Sequence, residues 1–153
     1  MVSIENLRFA KGLDPVADAF ALTVYSDVVR VSEAHKAFFV IQKGVGTVGR
    51  SVVTVQASLT NSPDTLSAVP FRYRRFNDSD TPGAVTEAAA TGFTTTAGSS
   101  DGYVIEVDMK ALASSGYKFV VLKMVESADG AVVGSILVIL VPRYADHTAA
   151  ITS

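Results

Sequence analysis

Hydrophobic and polar residues alternate along most of this chain, with the two-residue period of a β-strand. Over 51–59, Val53, Val55, Ala57 and Leu59 fall on one face, while Thr54, Gln56 and Ser58 fall on the other. Over 103–108, Tyr103, Ile105 and Val107 are expected inward, with Glu106 and Asp108 outward. The stretches 28–31, 37–42 and 70–76 are rich in Val, Ile, Phe and Tyr, residues that suit a pleated, half-buried surface. Two long apolar segments, 117–125 and 132–141, complete the pattern. Asp129-Gly130 lies between them and favours the positive φ angles of a tight turn, which predicts a hairpin.

A helical signal is clear in one place. Asp108 is a good N-cap, Met109-Lys110-Ala111-Leu112-Ala113 favours helix, and Gly116 suits the left-handed end. A short connecting helix is therefore expected over about 109–115. A weaker second candidate follows Asp14, with Pro15 at its first helical position. Turn-forming residues mark loops at 60–64, 77–83 and 98–102. No internal repeat or long linker divides the chain. About seven to nine short strands and one short helix predict an all-β fold, an antiparallel β-sandwich that is jelly-roll-like. A single domain over 1–153 is expected, with an irregular N-terminal segment 1–20 and a C-terminal tail 142–153. Periodicity leaves jelly roll and other sandwich topologies open.

Composition narrows the function classes. The chain has 153 residues, 48% apolar and 18% charged, with a net charge of −2 and neither cysteine nor tryptophan. A chain of this size buries roughly 70% of its unfolded surface, enough for a full core. The charged share lies below the roughly 25% of ordinary domains, and the net acidity argues against general nucleic-acid binding. Without cysteine there is no disulfide framework, thiolate nucleophile or cysteine-held metal. The N-terminus lacks a basic, then apolar, secretory pattern, and no apolar run reaches the roughly 20 residues of a membrane helix. A soluble protein without membrane contact is expected.

Most residues with chemical potential read as structure. Gly44-Val45-Gly46-Thr47-Val48-Gly49 matches a dinucleotide-binding pattern, but a strand follows it rather than the helix whose N-terminus would hold the pyrophosphate. A glycine-rich turn is the better reading. His35 and His147 lack metal-ligand spacing, and no serine stands in a nucleophile elbow. Asp78 and Asp80, beside Asn77 and Ser79, are oxygen donors for a hard cation, yet the rest of a calcium loop is missing and these are common turn formers. Paired carboxylates for glycoside hydrolysis stay open, because the fold sets their separation. No catalytic, cofactor-binding or metal residue is assigned, no cofactor is expected, and the chain is read as a non-enzyme.

Two features point instead to protein contact. Arg72, Arg74 and Arg75 cluster within one strand, where alternation puts Arg72 and Arg74 on one face and Phe71, Tyr73 and Arg75 on the other. Such a patch is either edge protection or a docking site, for acidic protein rather than nucleic acid. The run Ile136 to Val141 is aliphatic on both faces, and 117–125 repeats this. A sandwich covers one face, so the other needs cover from its own chain or from a neighbour. Ile136, Val138, Leu140 and Tyr144 join the three arginines as candidate interface residues.

The succession of features resembles the cement, or decoration, proteins of tailed-bacteriophage heads. The resemblance runs from about Asp14 to Asp146. It rests on Tyr25-Ser26-Asp27-Val28-Val29-Arg30-Val31, on the strand from Ala34 to Gln42, and on the step from Ile105 to Leu112. It closes on the aliphatic strand running into Pro142-Arg143-Tyr144-Ala145. It implies a jelly-roll sandwich that dimerises and clamps major capsid protein subunits on the capsid exterior of a virion, made in the bacterial host cytoplasm. It transfers no individual binding residue. The alternatives are another virion component, such as a tail or fibre attachment sandwich, or a carbohydrate-binding module or hydrolase. Exposed loop aromatics would favour attachment, and Phe93 is the candidate.

Overall fold

The alternating segments form two antiparallel sheets that face each other. The computed structural model describes residues 3–62, 65–77, 81–97 and 100–143. In chain order the strands are Arg8–Val16 (β1), Thr23–Tyr25 (β2), Val29–Arg30 (β3), Ala34–Lys43 (β4), Arg50–Ser58 (β5) and Ser67–Val69 (β6). Phe71–Phe76 (β7), Thr86–Ala88 (β8), Phe93–Thr94 (β9) and Gly102–Asp108 (β10) follow. The helix Met109–Ala113 (α1) precedes Phe119–Ala128 (β11) and Gly134–Pro142 (β12). One sheet has the order β1-β12-β4-β10-β7-β8. The other has the order β2-β11-β5-β6, with β3 also pairing β11 and β9 pairing β5.

The pairings are nested. β1 pairs with β12, β2 and β3 with β11, β4 with β10, and β5 with β9. Successive nested pairs fall in alternate sheets. This is the pattern of one long double-stranded ribbon rolled around a core, and it favours the jelly roll over other sandwiches.

The core lies between the sheets. Ala37, Phe39 and Ile41 of β4 stand in register with Leu140, Val138 and Ile136 of β12, and with Val107, Ile105 and Tyr103 of β10. All nine are buried. They pack with Val53, Val55 and Ala57 of β5 and Val120, Leu122 and Met124 of β11. The inward sets expected for 51–59 and 103–108 hold, except that β5 ends at Ser58 and Leu59 is exposed. α1 is capped by Asp108, whose Oδ1 accepts from the Lys110 N–H at 2.8 Å, and Gly116 takes φ +74° after it.

Three expectations are corrected. Residues 8–16 are a strand rather than part of an irregular segment, and Asp14-Pro15 lies in that strand, not at a helix start. An edge position tolerates the missing proline N–H. The segments 117–125 and 132–141 are strands, but they make no hairpin, because β11 and β12 belong to different sheets. The chain crosses between sheets over 129–133, beside the crossover of 44–49 that joins β4 to β5. Gly44 N–H donates to Val133 O at 2.6 Å, and Val133 N–H to Val45 O at 3.0 Å. A side chain on Gly49 would overlap the Gly130 carbonyl, so glycine here permits backbone-to-backbone approach. The dinucleotide-like spacing serves that crossing.

A candidate docking face on the larger sheet

The outward faces of the larger sheet carry two cross-strand rows. Phe9, Ile139, Phe38, Glu106, Arg72 and Glu87 stand opposite one another in that order, from β1 to β8. The second row is Lys11, Leu137, Val40, Val104 and Arg74. Antiparallel neighbours in register share a face, so each row is a continuous ridge. Both rows are mainly apolar on β1, β12 and β4, and charged on β7 and β8. Phe9 is 50% exposed and Leu137 41%, while Phe38, Val40, Val104 and Ile139 are partly exposed. Isolated exposed aliphatics are ordinary, but a contiguous set on one sheet is typical of an interaction surface.

On the charged half, Glu106 binds Lys36 Nζ at 2.7 Å and lies 4.0 Å from Arg72 Nη1. The Arg74 side chain makes no hydrogen bond or ion pair among the described residues, although its backbone lies in the β7–β10 ladder. Beside it, Phe38, Val85 and Val104 line a depression of about 270 Å³ together with Arg72, Arg74 and Glu106.

Arg75 is placed differently from Arg72 and Arg74. Its Nε and Nη2 donate to Asp101 Oδ1 at 2.9 and 2.7 Å. This hydrogen bonding holds the guanidinium pKa above its ordinary value. Asp101 is buried, and its other carboxylate oxygen accepts from the Thr96 hydroxyl. Tyr103 Oη accepts from the Thr96 N–H at 2.9 Å. Lys43, at the inward end of β4 and 5% exposed, donates from Nζ to the carbonyls of Thr96 and Gly49. Burial lowers its pKa, opposed by the charge of Asp101 and reinforced by that of Arg75. The network ties the segment before β10 to β4 and β7. Alternation along β4 already put Lys43 on the inner face, but nothing local paired it with residues 96 and 101.

The sheet divides the residues proposed from sequence. Arg72 and Arg74 share the outer face, as alternation requires. Arg75 is tied to the buried Asp101 instead, with its side chain still 45% exposed. Ile136, Val138 and Leu140 are no interface residues: they are 2%, 0% and 2% exposed, covered by the opposite sheet of the same chain. The open aliphatic face of β12 belongs to Leu137, Ile139 and Val141. Tyr144 lies outside the described residues, as do Asp78, Asp80 and His147. His35 is exposed. Phe93 is no free loop aromatic, because it sits in β9 and stacks on Tyr73 with ring centroids 3.9 Å apart and planes 3° apart. Phe71 and Tyr103 flank the stack. Among the described residues, no group of three or more His, Cys, Asp or Glu is placed to hold a metal ion.

No protein-family model matches the chain, and no curated protein matches it. Among solved structures, it aligns with the crystal structure of SPBc2 prophage-derived protein YomS. The alignment covers 92% of this chain and 96% of that one, at 11% sequence identity and a TM-score of 0.48.

Proposed function

We propose that this chain is a virion structural protein, a cement or decoration protein bound to the outside of a phage capsid. The observation that carries the reading is the pair of outward rows on the larger sheet, apolar at one end and arginine-bearing at the other. An apolar, self-complementary half suits a two-fold contact with a second copy, whose interface resembles a core cut in two. The arginine half is then left for the major capsid protein. A dimer that grips two neighbouring subunits gains avidity beyond that of either contact. No bond is made or broken in this role, and no cofactor takes part. The stacking of Phe93 on Tyr73 withdraws the ring on which an attachment reading would draw.

The test is direct. Purified protein mixed with phage heads lacking decoration is expected to co-sediment with them and to raise the temperature at which they rupture. Light scattering is expected to give about twice the 16.1 kDa chain mass. Heads that neither retain the protein nor gain heat resistance overturn the capsid role, and a monomer at micromolar concentration overturns the dimer.

A further inference from the structure

The depression beside Arg74 has a shape and charge of its own. Its apolar wall consists of Phe38 from β4, Val104 from β10 and Val85 from the segment before β8. At about 270 Å³ it is smaller than the roughly 300–1,000 Å³ of pockets that hold a drug-sized molecule. That size suits a single anchoring side chain. Arg72, Arg74 and Glu106 line the depression, Lys36 binds Glu106 from beside it, and Glu87 stands opposite Arg72, so three cations face two acids. The local charge is positive on a chain whose net charge is −2. The Arg74 guanidinium, a planar fork matched to a carboxylate, is left without a partner among the described residues.

We infer that this depression receives an apolar side chain of a partner polypeptide that carries a carboxylate immediately beside it. The apolar group fills the space between Phe38, Val85 and Val104, and the carboxylate pairs with Arg74. Glu87 and Glu106 flank Arg72 in the same row and leave Arg74 as the free cation of this site among the described residues, which matches one carboxylate rather than the run of phosphates that nucleic acid presents. The inference rests on the docking reading of this face and names what the arginine half recognises.

The experiment uses the full chain, isotope-labelled for NMR, with N-acetyl-leucine as the probe and N-acetyl-leucinamide as its uncharged twin. N-acetyl-leucine is expected to give saturable shifts at the amides of Phe38, Val85 and Val104. The twin is expected to bind about fivefold more weakly, the size of one partly exposed charge contact. Arg74→Gln removes that preference, and Arg74→Lys restores part of it. Equal binding of the two probes, or shifts confined to another surface, overturns the inference. Saturable, Arg74-dependent binding of a single-stranded oligothymidylate in place of the probe overturns it in favour of nucleic acid. Head binding is read separately. If heads ignore the wild-type chain while the probe binds as described, the capsid role falls and the inference stands; if heads bind and the probe does not, the reverse holds.

Discussion

Lys43 shows how one side chain's position becomes a measurable property. It follows Ala37, Phe39 and Ile41 on the inward face of β4, where a charged amine is costly unless paired. Two backbone carbonyls accept from it and the Asp101 charge offsets the burial, yet burial still prevails and lowers the pKa. The sign of the pH effect follows. Below the lowered folded pKa both folded and unfolded chains hold the proton, and the burial cost is fully present. As pH rises through the lowered folded pKa toward 10.5, the folded chain gives up the proton first, so stability increases. Wild-type protein is expected to gain stability relative to Lys43→Met as pH is raised toward 10.5, read from urea midpoints. Parallel profiles for the two proteins would show that Lys43 is not the source.

At the scale of elements, the two crossovers at 44–49 and 129–133 hold the sheets in register at one end. Adjacent strands β4 and β12 both pass to the other sheet there, landing on β5 and β11, which are again neighbours. The crossovers therefore run side by side and exchange backbone hydrogen bonds. Gly49→Ala is expected to force the Gly130 carbonyl aside and lower the Tm by about 6 °C, a typical cost of overpacking in a domain of this size. Gly44→Ala, whose methyl would meet Val133 at 3.4 Å, is expected to shift it by about 1 °C or less. A dinucleotide loop would give no reason for that difference. Equal melting of the two variants would remove the backbone-approach explanation.

Across the whole molecule, adjacent residues of β12 have opposite duties. Leu140 is sealed between the sheets, and Leu140→Ala is expected to cost about 3 kcal/mol of stability by denaturant titration. Leu137 and Ile139 face outward, so the double change Leu137→Ser with Ile139→Ser is expected to leave stability within about 1 kcal/mol. The same change should shift the light-scattering mass toward the monomer. Destabilisation as large as that of Leu140→Ala would mean that these residues are held within the fold instead. A stable variant that keeps the parental mass would move the twin contact elsewhere.

The sequence by itself determined what depends on near neighbours. Two-residue alternation marked β5 and β10, with the inward sets of Val53 and Val55 and of Tyr103, Ile105 and Val107, but it did not reveal β1. Asp108 and Gly116 marked the helix, because caps and left-handed turns are local chemistry. Where six aliphatic residues run together, from Ile136 to Val141, both parities look alike and alternation has no sign. Only pairing with β4 turned Ile136, Val138 and Leu140 into core and left Leu137, Ile139 and Val141 outside. The same holds for the missing hairpin, the Phe93–Tyr73 stack and the Arg75–Asp101 pair. Each joins groups whose partners are set by the rolled, nested topology, and that arrangement is fixed by long-range burial rather than by any local pattern.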